Sequence, residues 1–164
     1  MVVPKNSEVS RLTDLQNSVL AFLAQAAFGT TILTQADLAA QQVSFTPAYV
    51  TSHDSVYRSV AKGIFPAGGG VLRTFNNLAP QIREQLRILW TTKGYTPHAI
   101  AVHPRVTIED TLKLQRALLN MEQDDAGKQL LESLNIKGFE NAADADWDDI
   151  RALQLKQLKQ LSKD

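Results

Sequence analysis

Short apolar runs alternate with stretches of helical periodicity over residues 19–103. The continuous apolar run at 19–22 is typical of a buried strand, and the β-branched and aromatic residues at 43–50 predict a second strand. Between these runs, alanine and leucine recur at helical spacing over residues 27–42. Strands that alternate with helices need crossover connections, so the pattern predicts an α/β fold with a mostly parallel sheet flanked by helices.

Residues that cap or break helices mark further boundaries. Ser52 is placed to cap a helix that ends at Gly63. Val2 and Val3 before Pro4 predict an edge strand, because a proline is tolerated there and not in a central strand. The other predicted elements of this region are helical turns at 12–16, a strand at 64–65, a helical stretch at 76–86 with Pro80 near its start, a strand at 86–90 and an apolar run at 99–102.

The pattern after residue 105 is helical. Thr107 with Asp110 resembles a capping box, and apolar residues at near-helical spacing follow it to Met121. Two further helices are predicted at 126–134 and at about 147–161. We therefore divide the sequence into an α/β region at 1–104 and a C-terminal helical extension at 105–164, which packs on that region or on a partner chain.

Composition and charge narrow the classes of function. Lysine plus arginine and aspartate plus glutamate both number 17, and no block of like charge stands out, so no nucleic-acid partner is predicted. The absence of cysteine removes disulfides, thiolate metal sites and cysteine nucleophiles. The first residues lack the charged and apolar regions of a signal peptide, and no window approaches the apolar length of a membrane span.

Three segments follow predicted strands and offer groups that suit an oxyanion: residues 26–31, 51–54 and 68–70. Helix N-terminal amides, hydroxyls, small residues and the ring of His53 favour negative charge. Each segment also has a structural explanation, since Gly29 can allow close packing, Ser52 can cap a helix and the glycine triplet can turn the chain. Both explanations remain open at this point.

Patterns that carry catalysis or bind metals are missing from the sequence. The glycine triplet is followed by Val-Leu-Arg, without the Lys-Ser/Thr pair of a phosphate loop, and no nucleophile–base pair emerges. His98 and His103 would face opposite sides of a strand, which makes them poor joint metal ligands. The aspartates at 144–149 lack the spacing of a calcium loop and are better explained as helix caps. The sequence therefore predicts no catalytic residue, no metal, no cofactor and no enzymatic activity.

The order of these motifs resembles one known family. The stretch FTPAYVTSHDSVYRSVAKGIFPAGGGV at 45–71 is similar to the part of phosphate, phosphite and phosphonate transporter binding proteins where a strand, a Ser-His-Asp helix start, a glycine-ended helix and a glycine turn follow in series. Residues 2–22, 86–107 and 130–153 resemble the family's hinge strand, its return strand and its closing helices.

The resemblance implies that residues 1–104 are a ligand-binding lobe of a type II periplasmic binding protein, a fold in which two lobes close on a bound oxyanion. It implies a periplasmic location, and a membrane transporter or sensor as partner. A phosphate- or phosphonate-like anion is expected to contact the following residues: Ala27, Phe28, Gly29, Thr30, Ser52 and His53.

The sequence also departs from the family pattern. The helix start at 25–29 reads QAAFG instead of being rich in serine and threonine, and Pro66 replaces an acidic residue. The match begins where the family's second lobe begins, so we expect a missing first lobe or a homodimer that covers the exposed apolar surface with its C-terminal helices. Two hypotheses follow: a solute-binding lobe of a transport or sensory receptor, or a non-binding structural module that keeps the fold and dimerises.

Overall fold

The computed structural model describes residues 1–153 of the chain. The described residues form two compact units, Met1–Gly94 and Tyr95–Leu153. The predicted division of the sequence at residues 104 and 105 stays a prediction.

A mixed sheet lies at the centre of the first unit. The strands are β1 (Val2–Pro4), β2 (Ser18–Phe22), β3 (Phe45–Tyr49) and β4 (Leu86–Ile88). β2 and β3 are parallel, whereas β1 and β4 are antiparallel. Gly68 forms a parallel bridge to Ala21 and an antiparallel bridge to Val2, which joins the two pairs. The α/β prediction is confirmed, with parallel strands around β2 and an antiparallel pair beside them.

Helices connect these strands. A π-helical turn at Phe28–Ile32 continues into α1 (Leu33–Ala40), and α2 (His53–Ala61), α3 (Leu72–Asn76) and α4 (Pro80–Arg83) follow, with a 3-10 turn at Leu12–Leu15. Gly63 has a φ of 71°, the left-handed conformation that glycine adopts at low cost, and it follows the end of α2 as predicted. The helical stretch predicted at 76–86 is shorter in the structure, and α3 before it was not predicted.

The core of this unit has two parts, one on each face of the sheet. Val3 packs with Leu20, Phe22 and Leu38 of α1 in one cluster. Val2, its neighbour in the sequence, packs in the other cluster, whose members also include Tyr57 and Val60 of α2 as well as Leu78 and Leu86. Successive residues of a strand point to opposite faces, so α1 and α2 cover opposite sides of the sheet.

The second unit is helical. It contains α5 (Ile108–Leu119), a 3-10 turn at Met121–Gln123, α6 (Asp125–Leu134), a 3-10 turn at Asp144–Trp147 and α7 (Asp148–Arg151). Thr107 caps α5, because its Oγ1 accepts a hydrogen bond of 3.1 Å from the Asp110 amide. The remainder of the helix predicted at about 147–161 lies outside the described residues.

The aspartates at 144–149 have structural partners. Asp146 accepts a hydrogen bond of 2.7 Å from the Ala143 amide, and Asp149 accepts one of 2.9 Å from the Thr96 amide. Arg151 forms ion pairs of 2.6 Å with both Asp144 and Asp148. Asp146 therefore caps the 3-10 turn at Asp144–Trp147, whereas α7 itself has no side-chain cap, and the other aspartates of the cluster bind Arg151 or Thr96.

The apolar run at 99–102 differs from the return strand that the resemblance implied. No strand is assigned there, and Ile100 and Val102 are exposed. A run of this kind becomes a strand where a neighbour pairs with its backbone and covers its side chains. Within the described residues no strand pairs with 99–102.

Candidate functional site

The three segments predicted to form a site lie along one edge of the sheet. Parallel strands present their carboxyl ends at the same edge, and the Val50 amide donates a hydrogen bond of 2.9 Å to the Phe22 carbonyl, which keeps the ends of β2 and β3 side by side. The Gly69 amide donates one of 2.9 Å to the Ala21 carbonyl. We refer to residues 27–32, 51–54 and 68–71 together as the rim.

Gly69 brings two parts of the rim into close contact. A Cβ atom added at Gly69 would lie 2.1 Å from the Thr30 carbonyl oxygen and 2.8 Å from Cδ1 of Phe22. A Cβ atom at Gly29 would lie 3.1 Å from Cγ1 of Val71. The glycine triplet therefore does more than turn the chain, because it lets the backbone approach the helical turn after β2.

That helical turn has an unusual geometry. The amides of Thr31 and Ile32 both donate to the Ala27 carbonyl, at 2.9 and 3.2 Å. The turn is π-helical, a rare conformation that is frequent at functional sites. The first amides of a helix have no acceptor within the helix itself, so Phe28, Gly29 and Thr30 stand where backbone donors are available to a ligand.

Thr30 and Thr31 carry buried hydroxyl groups in this turn. The two residues are 2% and 0% exposed, and neither Oγ1 atom has a hydrogen-bond partner within residues 1–153. An unpaired buried hydroxyl costs about 1–3 kcal/mol, so a structure retains one only where something else compensates. Thr31 was inside the predicted segment 26–31 but not among the six predicted contacts.

Ser52 caps α2, as its position predicted. Its Oγ accepts a hydrogen bond of 3.0 Å from the Ser55 amide and lies 2.9 Å from the Ser55 hydroxyl. Asp54 forms an ion pair with Arg58, one helical turn further on. The Asp54 carboxylate therefore binds Arg58 on the surface of α2.

His53, the first residue of α2, presents a buried nitrogen at the rim. Its Nδ1 has no hydrogen-bond partner among the described residues. Burial lowers the pKa of His53 below its ordinary 6.5, and the positive charge of Arg73 lowers it further. The imidazole is therefore neutral at pH 7, with one nitrogen that donates and one that accepts.

Arg73 is the rim neighbour that sequence reasoning missed. It lies in α3, three residues after Gly70, at a position that in the sequence indicated only the absence of a phosphate loop. A permanent positive charge three residues after a glycine turn was the available signal. Its positive charge contributes to the lowered pKa of His53.

A substitution of Ser52 separates its capping role from the rest of the rim. Because the Oγ atom satisfies an otherwise free helix amide, Ser52→Ala should lower the free energy of unfolding by about 1 kcal/mol in urea denaturation. Ser55→Ala is the matched control, since it keeps the Ser52 cap intact and should cost less. Equal losses in the two variants would contradict the capping role.

Two kinds of feature were sought among the described residues: clusters of metal-binding side chains and helices that could span a membrane. No group of three or more His, Cys, Asp or Glu side chains within residues 1–153 is arranged to hold a metal ion. His98 and His103 are both exposed, in a stretch without regular secondary structure. None of the helices found in this part of the chain has the length and apolar character needed to cross a bilayer.

Comparison with known proteins gives one family and a set of structural neighbours. A family model described as ABC transporter, phosphonate, periplasmic substrate-binding protein matches residues 1–147. A binding protein component of an ABC phosphonate transporter from Pseudomonas aeruginosa superposes with a TM-score of 0.77 at 16% identity, over 96% of this chain and 56% of that one. A search of curated proteins found no match.

Two further solved structures share the fold. A Prochlorococcus marinus protein in complex with methylphosphonate has a TM-score of 0.75 and 24% identity, over 96% of this chain and 65% of that one. A Xanthomonas citri protein bound to chloride ion has a TM-score of 0.75 and 17% identity, over 96% of this chain and 64% of that one. The chain thus spans between 56% and 65% of the length of these relatives.

Proposed function

This chain belongs to the family of periplasmic substrate-binding proteins of phosphonate ABC transporters, and on that premise we propose that it is a solute-binding lobe whose ligand is a small phosphate- or phosphonate-like oxyanion. The ligand contacts are assigned to the predicted residues Ala27, Phe28, Gly29, Thr30, Ser52 and His53, with Thr31 added.

The buried polar atoms without partners carry this proposal. Within residues 1–153 the buried side-chain nitrogen and oxygen atoms that lack a hydrogen-bond partner are Oγ1 of Thr30, Oγ1 of Thr31 and Nδ1 of His53. All three belong to the rim, although the rim is a small part of the described chain. Burial of a polar group without a hydrogen-bond partner lowers the stability of the fold, so such groups are rare unless they serve a function. An oxyanion supplies several acceptors, which would pair both hydroxyls.

The chemistry of the rim suits a small anion. Helix amides, threonine hydroxyls and a histidine N–H are all donors, and the positive end of the α2 dipole lies at His53. Two structural neighbours are bound to small anions, methylphosphonate in one and chloride in the other. His53 is expected to donate to the anion from Nδ1, the buried nitrogen without a partner, and from both nitrogens once it is protonated.

Family membership suggests the setting in which this lobe works. The family consists of periplasmic binding proteins of ABC transporters, which bind solutes and do not catalyse reactions. We assign the same role to this chain: a periplasmic receptor that acts with a membrane transporter or sensor, without enzymatic activity of its own. The rim offers donors for binding and no paired nucleophile and base.

A second candidate function is a non-binding module that keeps the fold and forms a homodimer. Exposed apolar side chains favour it, namely Ile88 and Trp90 in the first unit and Ile100 and Val102 in the second. The same side chains would contact a first lobe in a two-lobed receptor. Sedimentation equilibrium distinguishes the possibilities, because a dimer that dissociates on dilution supports the module and a monomer that binds anions supports the receptor.

The test of the proposed function is a thermal-shift titration with methylphosphonate, phosphate and sulfate. A ligand that binds the native state alone stabilises it by about 2.7 kcal/mol at a concentration of 100 times Kd. We expect methylphosphonate or phosphate to raise the Tm of the wild-type chain. No shift with any of these anions would contradict anion binding and favour the non-binding module.

Thr30→Val separates a binding hydroxyl from a structural one. Because valine removes a buried hydroxyl that has no partner, the free energy of unfolding of the variant should be about 1 kcal/mol higher than that of wild type. The increase in Tm that the anion causes should be smaller than in wild type. Thr111→Val on α5 is the control, because its hydroxyl bonds to the Thr107 carbonyl within that helix. A loss of stability in Thr30→Val with an unchanged anion shift would exclude this hydroxyl from the site.

A further inference from the structure

We propose that Tyr57 is a positioning residue of the anion site. Its hydroxyl group holds the glycine segment, residues 68–71, between the two parts of the rim that offer donors: the helical turn after β2 and the start of α2. The inference rests on the proposed anion-binding function. Neither the motif pattern nor the six predicted contacts included Tyr57, which is 1% exposed and acts through the backbone instead of touching the ligand.

Tyr57 lies on the same side of α2 as His53. The two residues are four positions apart in the helix, and residues at this spacing are neighbours on a helix surface. The Tyr57 hydroxyl donates to the Val71 carbonyl at 3.1 Å and lies 2.8 Å from the Thr74 hydroxyl. The Thr74 hydroxyl donates to the same carbonyl at 3.0 Å. Two hydroxyl groups therefore fix one carbonyl oxygen at the end of the glycine segment.

The three glycines let this segment pass between α2 and the helical turn. A Cβ atom at Gly70 would lie 2.3 Å from the Tyr57 hydroxyl oxygen. A Cβ atom at Gly68 would lie 2.5 Å from Cγ1 of Val56, so both glycines pack directly against α2. Gly69, between them, approaches the helical turn after β2 instead. The position of the segment is therefore determined from both sides.

Val71 carries this position to the helical turn. A Cβ atom at Gly29 would lie 3.1 Å from Cγ1 of Val71, which leaves little space between the two residues. Groups that bind a ligand have to be held within about 0.5 Å of their productive positions by the residues behind them. Burial raises the pKa of Tyr57, so its hydroxyl keeps its proton at neutral pH and continues to donate to Val71. The spacing between the turn and α2 therefore depends on the Tyr57 hydroxyl.

The affinity of variants without these hydroxyl groups tests the role. Tyr57→Phe keeps the ring, and it should raise the Kd for methylphosphonate and for phosphate roughly fivefold, about 1 kcal/mol. Thr74→Val should weaken binding by a similar factor, whereas Thr74→Ser keeps the hydroxyl and should bind like wild type. Because both hydroxyls act on one carbonyl, Tyr57→Phe with Thr74→Val should weaken binding by less than the product of the single effects. Isothermal titration calorimetry well below the Tm of each variant measures these affinities.

Ser59→Ala controls for the general loss of a hydroxyl group from α2. The Ser59 hydroxyl donates to the Val56 carbonyl at 2.8 Å within the same helix, so its removal should leave both Kd values unchanged. A merely structural role of Tyr57 would lower the Tm and leave the Kd unchanged, since the protein is folded at the temperature of the titration. Equal losses of affinity in Tyr57→Phe and Ser59→Ala would overturn the positioning role.

A measurement without ligand tests the contact between Val71 and the helical turn. Gly29→Ala places a methyl group 3.1 Å from Cγ1 of Val71, and it should lower the Tm because Val71 is held in place. In the Tyr57→Phe background Val71 is less restrained, so the same substitution should lower the Tm by less. Equal decreases in the two backgrounds would show that the Tyr57 hydroxyl does not hold Val71 against the turn.

Failure of this inference is distinguishable from failure of the proposed function. If wild type binds methylphosphonate or phosphate and Tyr57→Phe binds it with the same Kd, the role of Tyr57 is overturned and the anion site stands. If wild type binds neither anion, both proposals are overturned.

Discussion

Gly69→Ala is expected to destabilise the first unit severely and to abolish anion binding. The added Cβ atom would lie 2.1 Å from the Thr30 carbonyl oxygen, and that oxygen belongs to a backbone whose amides hold the helical turn after β2. The Phe22 ring on the other side is fully buried and cannot move aside. Overpacking of this kind costs about 3 kcal/mol, which corresponds to a fall in Tm of roughly 6–12 °C for a chain of this size.

Gly94→Ala provides the matched comparison. No atom lies within 4 Å of a Cβ atom added at Gly94, so the same chemical change should leave the Tm close to that of wild type. Differential scanning calorimetry of the two variants measures the difference. A Gly69→Ala protein with the Tm of wild type would mean that Gly69 does not approach the helical turn after β2 as closely as described.

Sulfate binding is expected to tighten as the pH falls below about 6.5 and to lose this dependence in His53→Gln. Burial and the charge of Arg73 lower the pKa of His53 in the free protein, so the imidazole is neutral at pH 7. A bound dianion stabilises the imidazolium, and binding therefore takes up a proton as the pH falls. Sulfate keeps its charge over this range, so the dependence reports on the protein.

The unliganded chain should show the opposite dependence. Because the folded-state pKa of His53 is below its unfolded value, the unfolded chain binds a proton more readily, and stability falls as the pH drops through 6.5. His53→Ala should remove this contribution and weaken sulfate binding roughly 10- to 100-fold, as expected for the loss of a hydrogen bond to a charged group. Calorimetric titrations from pH 8 to pH 5.5 measure both effects. Wild-type binding that stays constant over this range would exclude His53 from the site.

Local signals were sufficient for much of the fold. Ser52 and Gly63 mark the start and end of α2 because capping and left-handed backbone depend on the residue itself. The parallel pair of β2 and β3 follows from two apolar runs separated by a helix. In contrast, α3 has only five residues, too few for a periodic pattern, and the apolar run at 99–102 resembles a strand although no strand pairs with it in the described chain.

The candidate site was only partly readable in the sequence. Its segments were found because each follows a strand, and parallel strands bring their ends together. The approach of Gly69 to Thr30, however, depends on contacts between distant parts of the chain. The position of α3 depends in the same way on the contacts of the Tyr57 hydroxyl with the Val71 carbonyl and with Thr74. Sequence spacing carries no information about such distances.

The glycine segment has a consequence for the kinetics of binding. Val2 and Gly68 exchange two backbone hydrogen bonds of 2.9 and 3.0 Å, and Ala21 bonds on the other side to the carbonyl of Ala67 and the amide of Gly69, so strands hold the segment from both sides. Although the segment is rich in glycine, these hydrogen bonds prevent it from acting as a hinge. The backbone at this edge of the sheet is therefore preorganised before an anion binds, so that binding costs no entropy for ordering a loop. Capture by this lobe is therefore expected to be limited by encounter and charge, without a slow local rearrangement.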